Sequence, residues 1–166
     1  MGTMDNLAAA FAGESQANRK YLAFAAKADK DGYPEVAKLF RAAAEAETVH
    51  AHAHLKVMKG VQGTAENLQG AIDGEGYEFQ TMYPDFLKVA EQEDNDAAIT
   101  SFKNAMAVEE IHHGLYNKAL DAVKKGKDLP AAKLFVCPIC GNTVENKIPG
   151  KCPVCGADGA KFVEIK

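Results

Sequence analysis

Four stretches of the chain carry apolar residues at helical spacing, and in each a glutamate sits within the face that should be buried. The first runs from about Asn6 to Asp31, with Leu7, Phe11, Ala17, Tyr21 and Ala25 on one face and Glu14 among them. The second opens at Pro34, a first-turn residue, closes at Gly60, and lines up Val36, Phe40, Ala43, Glu47, His50, His54 and Val57. The third begins between Thr64, an N-cap candidate, and Asp73. It carries Leu68, Ala71, Glu75, Glu78, Met82 and Phe86, and is weakened by Gly70, Gly74, Gly76 and Pro84. The fourth spans Asn95 or Asp96 to Gly126 through Ile99, Phe102, Met106, Glu109, Tyr116, Leu120 and Val123. A buried carboxylate costs several kcal/mol unless a partner compensates it, so inward glutamates on four helices demand cations where they converge.

The segment "AVEEIHH" offers Glu-x-x-His in two registers. Glu109 continues the stripe from Phe102 and Met106 to Tyr116, which points Glu109 and His112 inward and leaves Glu110 at the edge, with His113 ambiguous. The pattern repeats: Glu14 precedes Glu47 by 33 residues and Glu75 precedes Glu109 by 34. Two helix pairs, each an acid-bearing helix followed by a Glu-x-x-His helix, are expected of a four-helix di-metal carboxylate bundle. A single Glu-x-x-His would be weak evidence; Glu47/His50 on one helix and Glu109/His112 on another make the signal specific. His52 is about 200° around the helix from His50 and reads as solvated, while His54 lies a turn further along and reads as a packing residue. Tyr21 and Tyr83 are either hydrogen-bond partners of ligand carboxylates or ordinary core tyrosines.

Beyond Val123, "KKGKDLPAAK" reads as a linker, and "CPICG" and "CPVCG" follow. Two Cys-x-x-Cys knuckles, Cys137/Cys140 and Cys152/Cys155, can close four thiolates around one tetrahedral ion, with Gly141 and Gly156 letting backbone N–H groups approach the sulfurs. Such a site takes zinc or iron, and a stretch of about 30 residues needs the ion to fold. The net charge of −4 and the scattered Lys and Arg imply neither nucleic acid nor an anionic membrane as partner. No apolar run is long enough to span a bilayer, and "MGTMDNLAAAF" lacks the features of a leader peptide, so a cytoplasmic location is expected. In a reducing compartment, paired cysteines favour a metal over disulfides.

These residues together resemble the rubrerythrins over essentially the whole chain, through "FAGESQANRKY", "EAETVH", "EGYEFQTMYP", "AVEEIHH" and the two knuckles. The resemblance implies an all-α four-helix ferritin-like bundle over residues 1–126, a linker over 127–133 and a small rubredoxin-like metal-binding domain over 134–166. It implies two irons held by Glu14, Glu47, His50, Glu75, Glu78, Glu109 and His112, and one by Cys137, Cys140, Cys152 and Cys155, with zinc able to enter either site after expression in a foreign host. It also implies a peroxidase that reduces hydrogen peroxide to water, supplied with electrons by a redox protein through the four-cysteine centre. Glu78 is the distinguishing residue, because a plain ferritin-like site takes one acid from this helix. The family pattern has one iron exchange Glu78 for His50 on reduction. Two ferrous ions with five carboxylates sum to −1, and with four to zero, which is easier to hold in a low-dielectric interior. The alternative, a ferroxidase that handles or stores iron, has no need of an electron inlet; a third reading, zinc at both sites, has no redox role.

Ferritin-like bundles run their second and third helices in parallel. The gap from Gly60 to Thr64 reaches only about 15 Å against helices of roughly 40 Å, so a third helix starting at Thr64 predicts a homodimer with exchanged helix pairs. A third helix starting near Asp73 leaves about 13 residues, enough to cross within one chain. Glu109 lies about 22 Å along the helix from Lys124, which predicts that the cysteine module docks near the metal site of a neighbouring chain.

Overall fold

The computed structural model describes residues 2–166 and divides into two compact units, one ending at Gln62 and the other starting at Gly63. Met1, the first residue of the expected helical domain, lies outside the described residues.

The first unit is a hairpin of α1 (Thr3–Lys30) and α2 (Pro34–Val57). Gly32, at φ 82°, makes the turn, and Pro34 occupies the first helical turn, where no backbone N–H is needed. The seam between the helices keeps only Ala25 and Phe40 of the stripes read from the sequence. It is made of Ala37, Ala44 and Ala51, one heptad apart on α2, and of Asn18, Ala25 and Ala28 on α1. Small side chains let the two backbones approach closely. Asn18 fastens them: its Nδ2 donates to the Ala44 carbonyl at 2.7 Å and to Thr48 Oγ1 at 2.8 Å, so its buried amide is satisfied. The stripe through Glu47 and His50 is thereby free to be a ligand face.

In the second unit a long helical run consists of α3 (Thr64–Tyr77), a π-helical turn (Glu78–Met82) and α4 (Tyr83–Gln92); α5 (Asp96–Lys124) returns against it. Thr64 is the first helical residue and Gly63 the N-cap, so the helix starts at the earlier of the two expected places. Pro84 supplies no N–H and its ring clashes with a carbonyl one turn back, so the wider π turn just before it relieves a strain that would otherwise kink the helix. Asn95 caps α5, its side-chain oxygen accepting from the Ala98 N–H at 3.1 Å. Tyr83, Phe86 and Phe102 cluster with ring centroids 5.7–6.2 Å apart and tie α4 to α5.

The tail forms a three-stranded antiparallel sheet in the order β2 (Thr143–Glu145), β1 (Leu134–Val136), β3 (Val163–Ile165), with a 3₁₀ turn at Gly159–Lys161. Its core is Phe135, Phe162, Cys137 and Cys152, so two of its four central side chains are thiols. Among the described residues no helix is long and apolar enough to cross a membrane.

Candidate metal centres

Each unit brings one carboxylate–histidine triad together. In the hairpin, Glu14 of α1 converges with Glu47 and His50 of α2; in the second unit, Glu75 of α3 converges with Glu109 and His112 of α5. The two triads share one contact. His50 Nδ1 lies 3.0 Å from Glu47 Oε2, and His112 Nδ1 lies 3.0 Å from Glu109 Oε2. Residues three apart on a helix share a face, which is why Glu-x-x-His builds this contact without long-range help. Glu75 Oε1 stands 3.8 Å from the same His112 nitrogen.

Burial, and next the nearby Glu109 charge, raise the Glu75 carboxyl above its ordinary value, while His112 opposes the shift. Burial and Glu75 raise Glu78, which sits in the first residue of the π turn. The Tyr83 phenol is raised by burial and then by Glu109, Glu78 and Glu75, which places it in the field of this acidic cluster. Tyr21 packs its ring against Phe24 and Phe40, at 6.3 and 6.2 Å, and His113 meets Phe79 edge-on at 5.4 Å. The donor set fits divalent iron: imidazole and carboxylate groups crowded together, each disfavouring the charge of the next until a cation arrives.

A pH dependence follows for the metal-free protein. A carboxyl whose folded pKa is raised contributes stability that is present below its unfolded value of 4.5 and is lost as pH rises through the folded value. Glu75→Gln should therefore raise the Tm of metal-free protein at pH 7, and the gap over wild type should close as pH falls toward 4.5. Thermal melts followed by circular dichroism at several pH values check this. The variant should at the same time bind less metal.

The four thiols lie within 4.8 Å of one another, with Cys137 Sγ to Cys155 Sγ at 3.7 Å and Cys140 Sγ to Cys152 Sγ at 3.6 Å. These are not disulfide distances. A tetrahedron with metal–sulfur bonds of about 2.3 Å has edges of about 3.8 Å. Gly141 and Gly156, at φ 87° and 74°, turn each knuckle in a conformation other residues rarely adopt. Burial works against the Cys152 thiolate, but N–H groups of Cys155 and Val154 and the Asn142 amide outweigh it and bring this thiol down to about 6. Burial pushes Cys140 the other way. Hydrogen bonds thus favour the thiolate at Cys152, while burial favours the thiol at Cys140.

The linker folds back, so the cysteine module packs on α5 of its own chain, contrary to the expectation that it docks on a neighbour. Thr143 Oγ1 lies 3.0 Å from His112 Nε2, and Lys118 Nζ grips both Glu145 oxygens at 2.8 and 2.7 Å. The six residues from His112 to Lys118 rise about 9 Å, and the two from Thr143 to Glu145 about 7 Å, so β2 lies alongside the helix in near register. Nothing in the sequence marked Thr143; its role exists only in the tertiary structure.

Two carboxylate–histidine triads on helices and a separate four-sulfur knuckle define a non-haem metalloprotein of the ferritin-like carboxylate class with an appended sulfur-ligated module. The rubrerythrin family profile matches residues 5–120, and the profile of the rubrerythrin rubredoxin-like domain matches residues 135–163. The chain belongs to the rubrerythrin family. It is 36% identical to Rubrerythrin-2 of Clostridium acetobutylicum over 174 residues, covering 96% of this chain and 95% of that protein. It is 34% identical to nigerythrin of Nitratidesulfovibrio vulgaris, covering 92% and 81%. The solved structure of nigerythrin in a partially reduced state matches with a TM-score of 0.59 at 31% identity, over 99% of this chain and 87% of that one. Members of the family are oxidoreductases with peroxidase activity, and the chain has their fold class, a ferritin-like bundle followed by a rubredoxin-like domain, and the residue types of their di-iron and four-cysteine sites.

Proposed function

We propose that this chain is a hydrogen peroxide reductase. Glu14, Glu47, His50, Glu75, Glu78, Glu109 and His112 hold two irons, and Cys137, Cys140, Cys152 and Cys155 hold a third. The net reaction breaks the O–O bond of one peroxide, with two electrons and two protons giving two waters. When bound, irons at these residues would supply the redox chemistry: a pair held by the glutamates and histidines would give both electrons to peroxide, and one held by the four cysteines would offer a one-electron inlet from a redox-protein donor. The chain's own residues set the conditions: five carboxylates offset the charge of the ions, His112 and His50 present Nδ1 to them, and Tyr83 borders the acidic cluster. The observation that carries the reading is the attachment of the four-cysteine module to His112, which storage or a zinc scaffold would not require.

Mixing anaerobically reduced protein with hydrogen peroxide should oxidise both centres, with one peroxide consumed per two electrons. Indifference to peroxide, with iron accumulating under air instead, would favour the ferroxidase reading. Glu78→Gln should still bind iron in the helical sites, yet turn over peroxide slower by about 10-fold or more, because a neutral amide replaces an exchangeable charge. Unchanged turnover, measured beside iron content, refutes that role.

The working unit is a homodimer with exchanged helix pairs. Parallel second and third helices need a link as long as the bundle; α2 is 24 residues, about 36 Å, whereas residues 58–63 reach about 25 Å extended. The hairpin also leaves Leu39 69% and Val49 61% exposed, apolar surface suited to burial on a second copy. Four free thiols suit the reducing cytoplasm.

A further inference from the structure

A hydroxyl group has one proton to donate. Thr143 Oγ1 lies 3.2 Å from the Gly141 carbonyl and 3.0 Å from His112 Nε2. The carbonyl can only accept, and a hydroxyl that gives its proton to Gly141 keeps a lone pair that accepts from His112 Nε2–H, the arrangement a metal on Nδ1 requires. A neutral imidazole protonated at Nε2 leaves Nδ1 as a bare lone pair. That nitrogen is the one directed at Glu109 Oε2 and Glu75 Oε1, at 3.0 and 3.8 Å.

We propose that Thr143 is a positioning residue through which the four-cysteine module prepares the helical triad for metal. Its hydroxyl holds the tautomer and ring plane of His112, and its own place depends on the folded knuckle. Gly141, whose carbonyl takes the hydroxyl proton, directly follows Cys140, and its N–H donates to the Cys137 carbonyl at 2.9 Å. A Cβ placed on Gly141 would meet Val108 Cγ1 at 3.6 Å, so the knuckle rests on α5 four residues before His112. The Lys118–Glu145 pair holds the other end of β2. Filling the four-cysteine site thus makes the triad bind metal more tightly, and by linkage a filled triad favours the docked module.

This inference rests on His112 being a ligand, and the test separates the two claims. Full-length wild type, Thr143→Val and Thr143→Ser, with the four-cysteine site filled with zinc, are titrated with Co(II) against a chelator, and the His112 ring nitrogens are followed by ¹⁵N NMR. Once cobalt is bound, wild type and Thr143→Ser should show His112 with a slowly exchanging Nε2–H held on the hydroxyl. Thr143→Val should show an Nε2–H that exchanges rapidly with solvent and an affinity for cobalt at the helical site weaker by about 10- to 100-fold, with zinc retained by the cysteines. Should valine disturb the sheet, Thr143→Ala removes the same hydroxyl and carries the same expectation. Wild-type affinity and an unchanged Nε2–H signal in the hydroxyl-free variants overturn the role of Thr143. Failure of the wild type itself to bind cobalt at His112 overturns the ligand assignment instead.

Discussion

Glu47→Gln and Glu109→Gln chains, each without peroxide turnover alone, should recover about a quarter of wild-type activity when dissociated and reassociated in equal amounts. In an exchanged dimer each site takes Glu14, Glu47 and His50 from one chain and Glu75, Glu78, Glu109 and His112 from the other. Random pairing makes half of the dimers mixed. In a mixed dimer both lesions fall in one site and the other site is intact, so about one site in four works. Pairing Glu109→Gln with Cys137→Ser should give no recovery. The cysteine module sits on its own α5, with Thr143 on His112, so Cys137 and Glu109 of one chain serve the same site, and no mixed dimer contains a site free of both lesions. A first pair that stays inactive while forming mixed dimers sinks the exchange. Recovery by the second pair means that the module serves a neighbour's site.

The residues of the triads were legible because their geometry is local. Glu47 with His50 and Glu109 with His112 are fixed by three residues of helix, and the mirrored 3.0 Å contacts need nothing from the rest of the fold. The knuckles were legible for the same reason, since each pair closes through one turn. The seam between α1 and α2 was legible only in part, through Ala25 and Phe40. Ala37, Ala44 and Ala51 carry little hydrophobic weight, so a periodicity reading passes over them and selects Val36 and Val57, which are 46% and 62% exposed. Pro84 announced a weakness in the third helix but not its remedy, because a proline can end, kink or widen a helix depending on what packs around it. The docking of β2 on α5 was least accessible. It depends on Thr143 meeting His112 across 31 residues, and a linker of similar composition permits other placements.

Replacing Cys137 by serine should remove the metal of the small domain and unfold that domain while α1 to α5 persist. Cys137 is fully buried, and with Cys152 it forms half of the four buried side chains of a core whose other two are Phe135 and Phe162. Metal binding in comparable small domains is worth about 10–16 kcal/mol, far more than two buried phenylalanines supply at about 3 kcal/mol or less each. The iron–thiolate absorption should disappear, hydrogen exchange should become fast across β1 to β3, and the helical circular dichroism should remain. Peroxide turnover driven by an external reductant should fall by at least about 100-fold, whereas chemically pre-reduced protein, given enough iron to saturate a helical site weakened by the loss of Thr143, should still consume one peroxide per iron-loaded helical site in a single turnover. That separation distinguishes an electron inlet from a structural prop: a prop would lose both reactions together. Near-normal steady turnover with an unfolded module means that electrons enter the helical site directly, and the four-cysteine centre then has no part in catalysis.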